Sequence, residues 1–192
     1  LVPAFREGRD PHAEMMKTAN IDDRRAAKVI NFGLGYEPND NSAAWVLKRL
    51  LRTQGIVIDD VEAKRLVRAY RDTWVDFRGY YEFIEQHIKD KGYVETMHGR
   101  KLHLKWLKGS NRYYDKVNRK TLRDGVNMPI QGTAAEIIKL AMIEIRTNVL
   151  PKLPFEVQWK PWVHDSLMFQ VDKGREHELI SVVKPVMENI VT

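Results

Sequence analysis

The sequence contains no cysteine in its 192 residues. Disulfides and thiolate–metal sites are therefore excluded, and the absence fits a reducing compartment. No uninterrupted apolar run reaches about 18 residues, so no membrane-spanning helix is read. There is no phosphate-binding P-loop and no G-x-S-x-G elbow. There is no H-E-x-x-H zinc helix either, although His177-Glu178 shows its first two letters. His98 and His103 are five apart and would face opposite ways on a strand, so the histidines do not form a zinc set. The opening stretch LVPAFREGRDPHAEMM lacks the basic-then-apolar pattern of a signal peptide. It also lacks an initiator Met, and the expectation is a chain that begins mid-protein. No internal repeat or low-complexity tract is present.

What is present is ordinary in amount and uneven in place. Hydrophobic residues make up 43% and charged residues 30%, as in a globular protein of one or two domains with a real core. The net charge is +6. Between Arg100 and Asp124 nine Lys/Arg face two Asp, a net of +7, so the rest of the chain nets −1. Trp106, Tyr113 and Tyr114 interleave with this run. Cations with aromatics suit a phosphate backbone and stacked bases, while the plainer reading is a solvated basic loop.

Local signals order the chain. Asp22-Asp23 is N-cap chemistry for a helix that Gly33, Gly35 and Pro38 loosen or end. A second helix runs from the Asn/Ser cluster of NDNSAAW to Gly55. Asp59 to Lys91 is helical by its apolar spacing, with a break expected near Gly79. GYVETMHGRKLHL predicts a hairpin around His98-Gly99. The basic stretch follows as a loop. A helix then begins at Arg119, with a kink or restart at Pro129. FEVQWKPWV and SLMFQV predict two strands meeting at His164-Asp165, and a last helix carries Pro185. The fold class expected is α+β, mostly helical with a small antiparallel sheet.

Three constellations could carry chemistry. Arg24, Lys28, Phe32 and Tyr36 are four residues apart, placing two cations and two rings on one helix face. Such a face suits a nucleoside triphosphate; the other reading has Phe32 and Tyr36 in the core with Arg24 and Lys28 snorkelling. Arg123, Asn127 and Gln131 share the same spacing and could read base edges, or form a solvated face. Asp165, beside His164, is either a hard-metal ligand at a strand turn or an Asx turn.

The order of these signals resembles the C-terminal polymerase region of family A DNA polymerases, the bacterial polymerase I and phage replicative type. RRAAKVINFGLGY resembles motif B on the O-helix, here about 22–36. GYVETMHGRKL, LRDGVNMPIQGTAAEIIKLAM and VHDSLMFQV resemble three further family segments, the last being motif C. AFREGRDPH resembles the segment after motif A.

The resemblance implies a fingers subdomain over 1–95 and a palm portion over 96–192, with the motif C hairpin at about 155–171. It implies that Arg24 and Lys28 hold the triphosphate of a dNTP, with His12 near the β-phosphate and Phe32 near sugar and base. Tyr36 would stack at the templating position. Arg123, Asn127 and Gln131 would touch the minor groove of primer-template DNA, with His164 near the primer end. Asp165 would bind two Mg²⁺ ions, and Asp165 and Lys28 are the residues implied in catalysis. Motif A, thumb and exonuclease are not in this stretch, and the expected source is an upstream segment or second chain. The isolated chain is accordingly expected to be inactive. Glu37 replaces a motif B Gly and Ser166 a motif C Glu. A catalytically inactive DNA-binding remnant and a single-subunit RNA polymerase relative are the alternatives. A cytoplasmic setting without membrane contact is expected, in a bacterium or a phage-infected cell.

Overall fold

The computed structural model describes residues 6–109, 111–163 and 166–191. The fold is α+β, with helices dominant and two two-stranded antiparallel sheets among the described residues. The chain divides into two compact units, Leu1–Glu95 with Lys101–Met128, and Thr96–Arg100 with Pro129–Thr192. The first unit thus reaches past residue 95 and takes in the basic segment.

Four helices build the larger core of the first unit: α1 (Pro11–Ala19), α2 (Arg24–Leu34), α3 (Asp40–Thr53) and α4 (Asp60–Thr73). Each of α1, α2 and α4 begins at an aspartate cap. Asp10, Asp23 and Asp59 accept the backbone N–H of His12, Arg25 and Glu62, satisfying donors a helix start leaves open. Buried residues recur at helical spacing, as Ala26, Ala27, Ile30 and Leu34 on α2 and Ala43, Leu47 and Leu51 on α3. Alanines and Gly33 let α2 and α3 approach closely. A Cβ on Gly33 would stand 2.6 Å from Leu50 Cδ1. Each fully buried Ile, Leu or Met contributes roughly 1.5–3 kcal/mol of transfer energy.

The long helical region from Asp59 breaks at Trp74-Val75, not at Gly79. Trp74 leaves helical geometry (φ −122°, ψ 61°), and α5 runs from Asp76 to Lys91. Trp74 is held by its indole N–H, which donates to Asn31 Oδ1 at 3.1 Å. The break falls in Thr73-Trp74-Val75, three residues of modest helix propensity. Gly79 is an ordinary helical position with open space around it. Gly92 (φ 74°) ends α5 in the left-handed conformation, which glycine adopts without steric cost.

The hairpin of β1 (Tyr93–Glu95) and β2 (Lys101–His103) forms as expected, with Gly99 at φ 81°. His98 lies outside both strands. A second cluster of the first unit, Tyr81, Ile84, Ile88, Val94 and Val126, packs with Tyr36, Leu102 and Trp106.

The basic run is not all loop. Its helical half starts seven residues earlier than predicted, because Asn111 Oδ1 accepts the N–H of Tyr114 at 2.9 Å and caps the start. Helix α6 spans Arg112–Glu144 and continues through Pro129. A proline ring presses on the carbonyl four residues back, which here belongs to Gly125. The preceding segment is tied by Asn118, whose amide donates to Leu107 O and accepts from Leu107 N.

In the second unit Thr133 donates to Pro129 O at 2.5 Å and accepts the N–H of Met97 at 2.9 Å. A π turn (Ile145–Val149) and a 3₁₀ turn (Leu150–Lys152) follow α6. The ladder of β3 (Gln158–Trp159) and β4 (Phe169–Gln170) is only two residues long, with a separate bridge between Val163 and Ser166. Lys160 N–H still donates to Met168 O at 3.0 Å, but the Val163–Ser166 bridge is one residue out of register with the ladder. Helix α7 (Glu176–Asn189) covers this unit's core of Ile145, Leu179 and Val183.

Two helical glycines, Gly79 and Gly125, answer oppositely to alanine. At exposed Gly79 a Cβ meets nothing within 4 Å, so Gly79→Ala is expected to stabilise by about 0.5–1 kcal/mol. At Gly125 a Cβ would lie 2.5 Å from Ile88 Cδ1, 3.2 Å from Leu104 Cδ1 and 3.3 Å from Ile84 Cγ2. Gly125→Ala is therefore expected to destabilise by about 1–3 kcal/mol despite better helix propensity. Urea midpoints of the two variants check both signs.

Candidate functional site

The stripe read from the sequence survives for three of its four members. Arg24, Lys28 and Phe32 lie on α2, which ends at Leu34 before Tyr36 is reached. Phe32 is 61% exposed, so it is not a core residue. Lys28 Nζ stands 5.9 Å from the Phe32 ring centroid. His12, brought in by α1, has its ring centroid 5.8 Å from that of Phe32. Tyr36 is half-buried against the Tyr81–Ile88 cluster instead. A groove of about 610 Å³ opens beside Lys28 and Phe32, lined also by Arg25, Val29, Gly33 and Leu50.

Two residues that the sequence reading passed over hold this face together. Asn31 Nδ2 donates to Pro11 O at 3.0 Å and lies 3.0 Å from His12 Nδ1. Its Oδ1 accepts from Trp74. The indole N–H can only donate and the Pro11 carbonyl can only accept, so the amide has one orientation. His12 Nδ1 must then accept from Asn31, and the ring proton sits on Nε2. Asp10 is the second residue. Its Oδ2 accepts from Arg24 Nε and Nη2 at 3.1 and 2.9 Å. The signal for Asn31 was a poor helix former in mid-helix; for Asp10 it was the Asp-Pro start of α1.

Arg123 and Asn127 share a face of α6 in the first unit, and Gln131 lies in the second. Arg123 Nη1 donates to buried Glu37 Oε2 at 3.2 Å. Asn127 Oδ1 is buried without a hydrogen-bond partner among the described residues. The basic residues Arg112, Lys116, Arg119, Lys120 and Arg123 recur at helical spacing. Ser166 is exposed and exchanges backbone hydrogen bonds with Val163. His164 and Asp165 lie outside the described residues. No group of three His, Asp or Glu side chains is placed to hold a metal ion among the described residues. No described helix is long and apolar enough to cross a membrane.

The chain is thus an α+β protein with an exposed face of cations and rings, suited to an anionic aromatic ligand. It belongs to DNA polymerase family A, whose model matches residues 1–192. The thermostable DNA polymerase I of Thermus filiformis is 33% identical over 194 residues, 96% of this chain and 21% of that protein. DNA polymerase I of Streptococcus pneumoniae is 29% identical over 200 residues, 100% of this chain and 21% of that protein. The chain therefore spans about a fifth of the length of these curated relatives. Among solved structures, the POL domain of Pol1 from M. smegmatis, in complex with DNA primer-template and dNTP, matches with a TM-score of 0.82 and 30% identity. That match covers 100% of this chain and 33% of the other.

The Asp10 carboxyl is held below its usual range by the His12 N–H first and the Arg24 guanidinium second. A depressed folded value contributes stability that is complete above the unfolded value, about 3.9, and is lost as pH falls through the folded one. Asp10→Asn keeps a capping oxygen but loses the charge. The variant is expected to be less stable than the natural protein near neutrality, and the gap is expected to narrow toward about pH 3. Urea midpoints at the two pH values test this; a gap that persists in acid would remove the charge from the explanation.

Proposed function

We propose that this chain forms the fingers and part of the palm of a DNA-directed DNA polymerase. In this reading 1–95 is the fingers region and 96–192 the palm portion. The chain binds an incoming dNTP and primer-template DNA for template-directed nucleotidyl transfer. The observation that carries the proposal is the common face of His12, Arg24, Lys28 and Phe32 in a chain of this family.

In the proposed reaction the primer 3′-oxygen attacks the α-phosphorus. A new P–O bond forms, the bond to the bridging oxygen of the β-phosphate breaks, and pyrophosphate leaves. Charge grows on the leaving group, where fixed cations and N–H donors are most effective. Arg24 and Lys28 meet that charge, and His12 Nε2–H donates to it. Phe32 packs beside sugar and base. The Arg24–Asp10 pair is exposed, and such a pair is weak and readily exchanged. A triphosphate can displace Asp10, which keeps the His12 N–H as its own partner. Tyr36 is assigned to the templating position, Arg123, Asn127 and Gln131 to the minor groove, and His164 to the primer end.

Two Mg²⁺ ions belong to the proposal, with Asp165 as a ligand and further carboxylates from outside this stretch. When bound they supply the positive charge that activates the 3′-hydroxyl. The described residues do not by themselves build that ion site, and the roles above are those of the chain's own cations, donors and rings.

Ser166 favours a second reading, a DNA-binding chain that has lost the chemistry. Hydrogen exchange with primer-template present separates the two. Addition of dNTP is expected to protect the segment from Arg24 to Tyr36, and absence of protection favours the inactive reading. In the full natural protein Asp165→Ala is expected to abolish incorporation, and near-normal turnover would overturn its assignment as the metal ligand.

A further inference from the structure

Glu37 lies three residues beyond α2 and is 3% exposed. All of its polar groups are engaged. Oε1 accepts from Ser42 Oγ at 2.7 Å, and Oε2 accepts from Arg123 Nη1 at 3.2 Å. Its N–H donates to Leu34 O at 3.1 Å. Its carbonyl accepts from Arg71 Nη2 at 2.5 Å, and Arg71 also donates to Asp40 and Tyr81. The turn after the nucleotide-face helix is thereby pinned, and its carboxylate reaches across to α6.

A carboxylate this buried is costly unless it is paired, and removing its partner leaves an uncompensated charge. Arg123 is therefore not released readily by Glu37. It has no need to be. A guanidinium carries five N–H donors, Glu37 takes one, and the Arg123 side chain is 46% exposed. The remaining donors can meet a ligand while the pair stays intact. The pair is neutral overall, so what it offers is hydrogen bonding to base edges or sugar oxygens, rather than neutralisation of a phosphate.

We propose that Glu37 is a positioning residue for DNA contact. It holds Arg123 through the ion pair and aims the free side of the guanidinium at primer-template DNA. It also ties that contact to the turn that follows the nucleotide-face helix. The inference rests on the polymerase reading above.

The test is fluorescence anisotropy of labelled primer-template with the full natural protein, at several salt concentrations. Glu37→Gln and Arg123→Met are each expected to weaken binding about tenfold, and the double variant no further than either alone. Arg123→Met is expected to change the salt slope by well under the ~0.9 of one released counterion. Arg123→Lys keeps the charge pair but loses the fork, and it too is expected to weaken binding. Ser42→Ala, which loosens Glu37 without touching Arg123, is expected to stay within about twofold, well below the tenfold that marks a coupled pair. The inference is overturned if Glu37→Gln binds as tightly as the natural protein or more tightly. It is also overturned if the two losses add, if Arg123→Lys binds normally, or if Ser42→Ala loses as much as Glu37→Gln. A natural protein that fails to bind primer-template overturns the polymerase reading itself, and this inference with it.

Discussion

The cation–ring face depends on one amide, that of Asn31. Its two ends are satisfied by groups with no choice of role: the Trp74 indole N–H donates and the Pro11 carbonyl accepts. The orientation of the amide follows, and with it the His12 tautomer. The same amide holds the Trp74 indole at the break between α4 and α5. A buried donor left without its partner costs about 1–3 kcal/mol, so the indole at the break and the ring tautomer are coupled through a single side chain.

Burial sorts the charged contacts into two kinds. Arg24–Asp10, Lys48–Asp60 and Arg78–Glu82 are exposed, and such pairs are weak and easily exchanged for a ligand. Glu37 and Glu136 are buried. In the second unit Glu136 accepts from Arg100 Nε at 2.9 Å and lies 3.3 Å from His98 Nδ1. The Thr96 hydroxyl, then Arg100, draws its carboxyl below the usual range. One exchangeable pair, Arg24–Asp10, stands where a triphosphate is proposed to enter, and the fixed pairs stand where the chain must hold shape.

Much of the helical order was legible because it is local. Asp23 before Arg24, Asp59 before Asp60, and Gly55 and Gly99 at their turns act within a few residues of themselves. Some of the misplaced features are decided by distant groups, others by local signals that were masked. Nothing around Trp74 in the chain announces that Asn31, more than 40 residues away, will hold it. The long helix begins at Arg112 because Asn111 caps it, a signal hidden inside a basic run that otherwise reads as loop. The late ladder is shorter than its alternation suggests because its register slips by one residue before the Val163–Ser166 bridge.

The candidate site divides the same way. Spacing alone placed Arg24, Lys28 and Phe32 on one face, since helical periodicity is a property of the chain itself. It could not tell an exposed Phe32 from a buried one, nor see that α2 stops before Tyr36. Those outcomes depend on what packs against the helix. The motif order identified the family from residues alone, because four segments in sequence carry that information without geometry. The partners of Arg123, His12 and Arg24 were decided only by tertiary structure. A side chain's hydrogen bonds depend on distances across the fold, and sequence separation does not measure those distances.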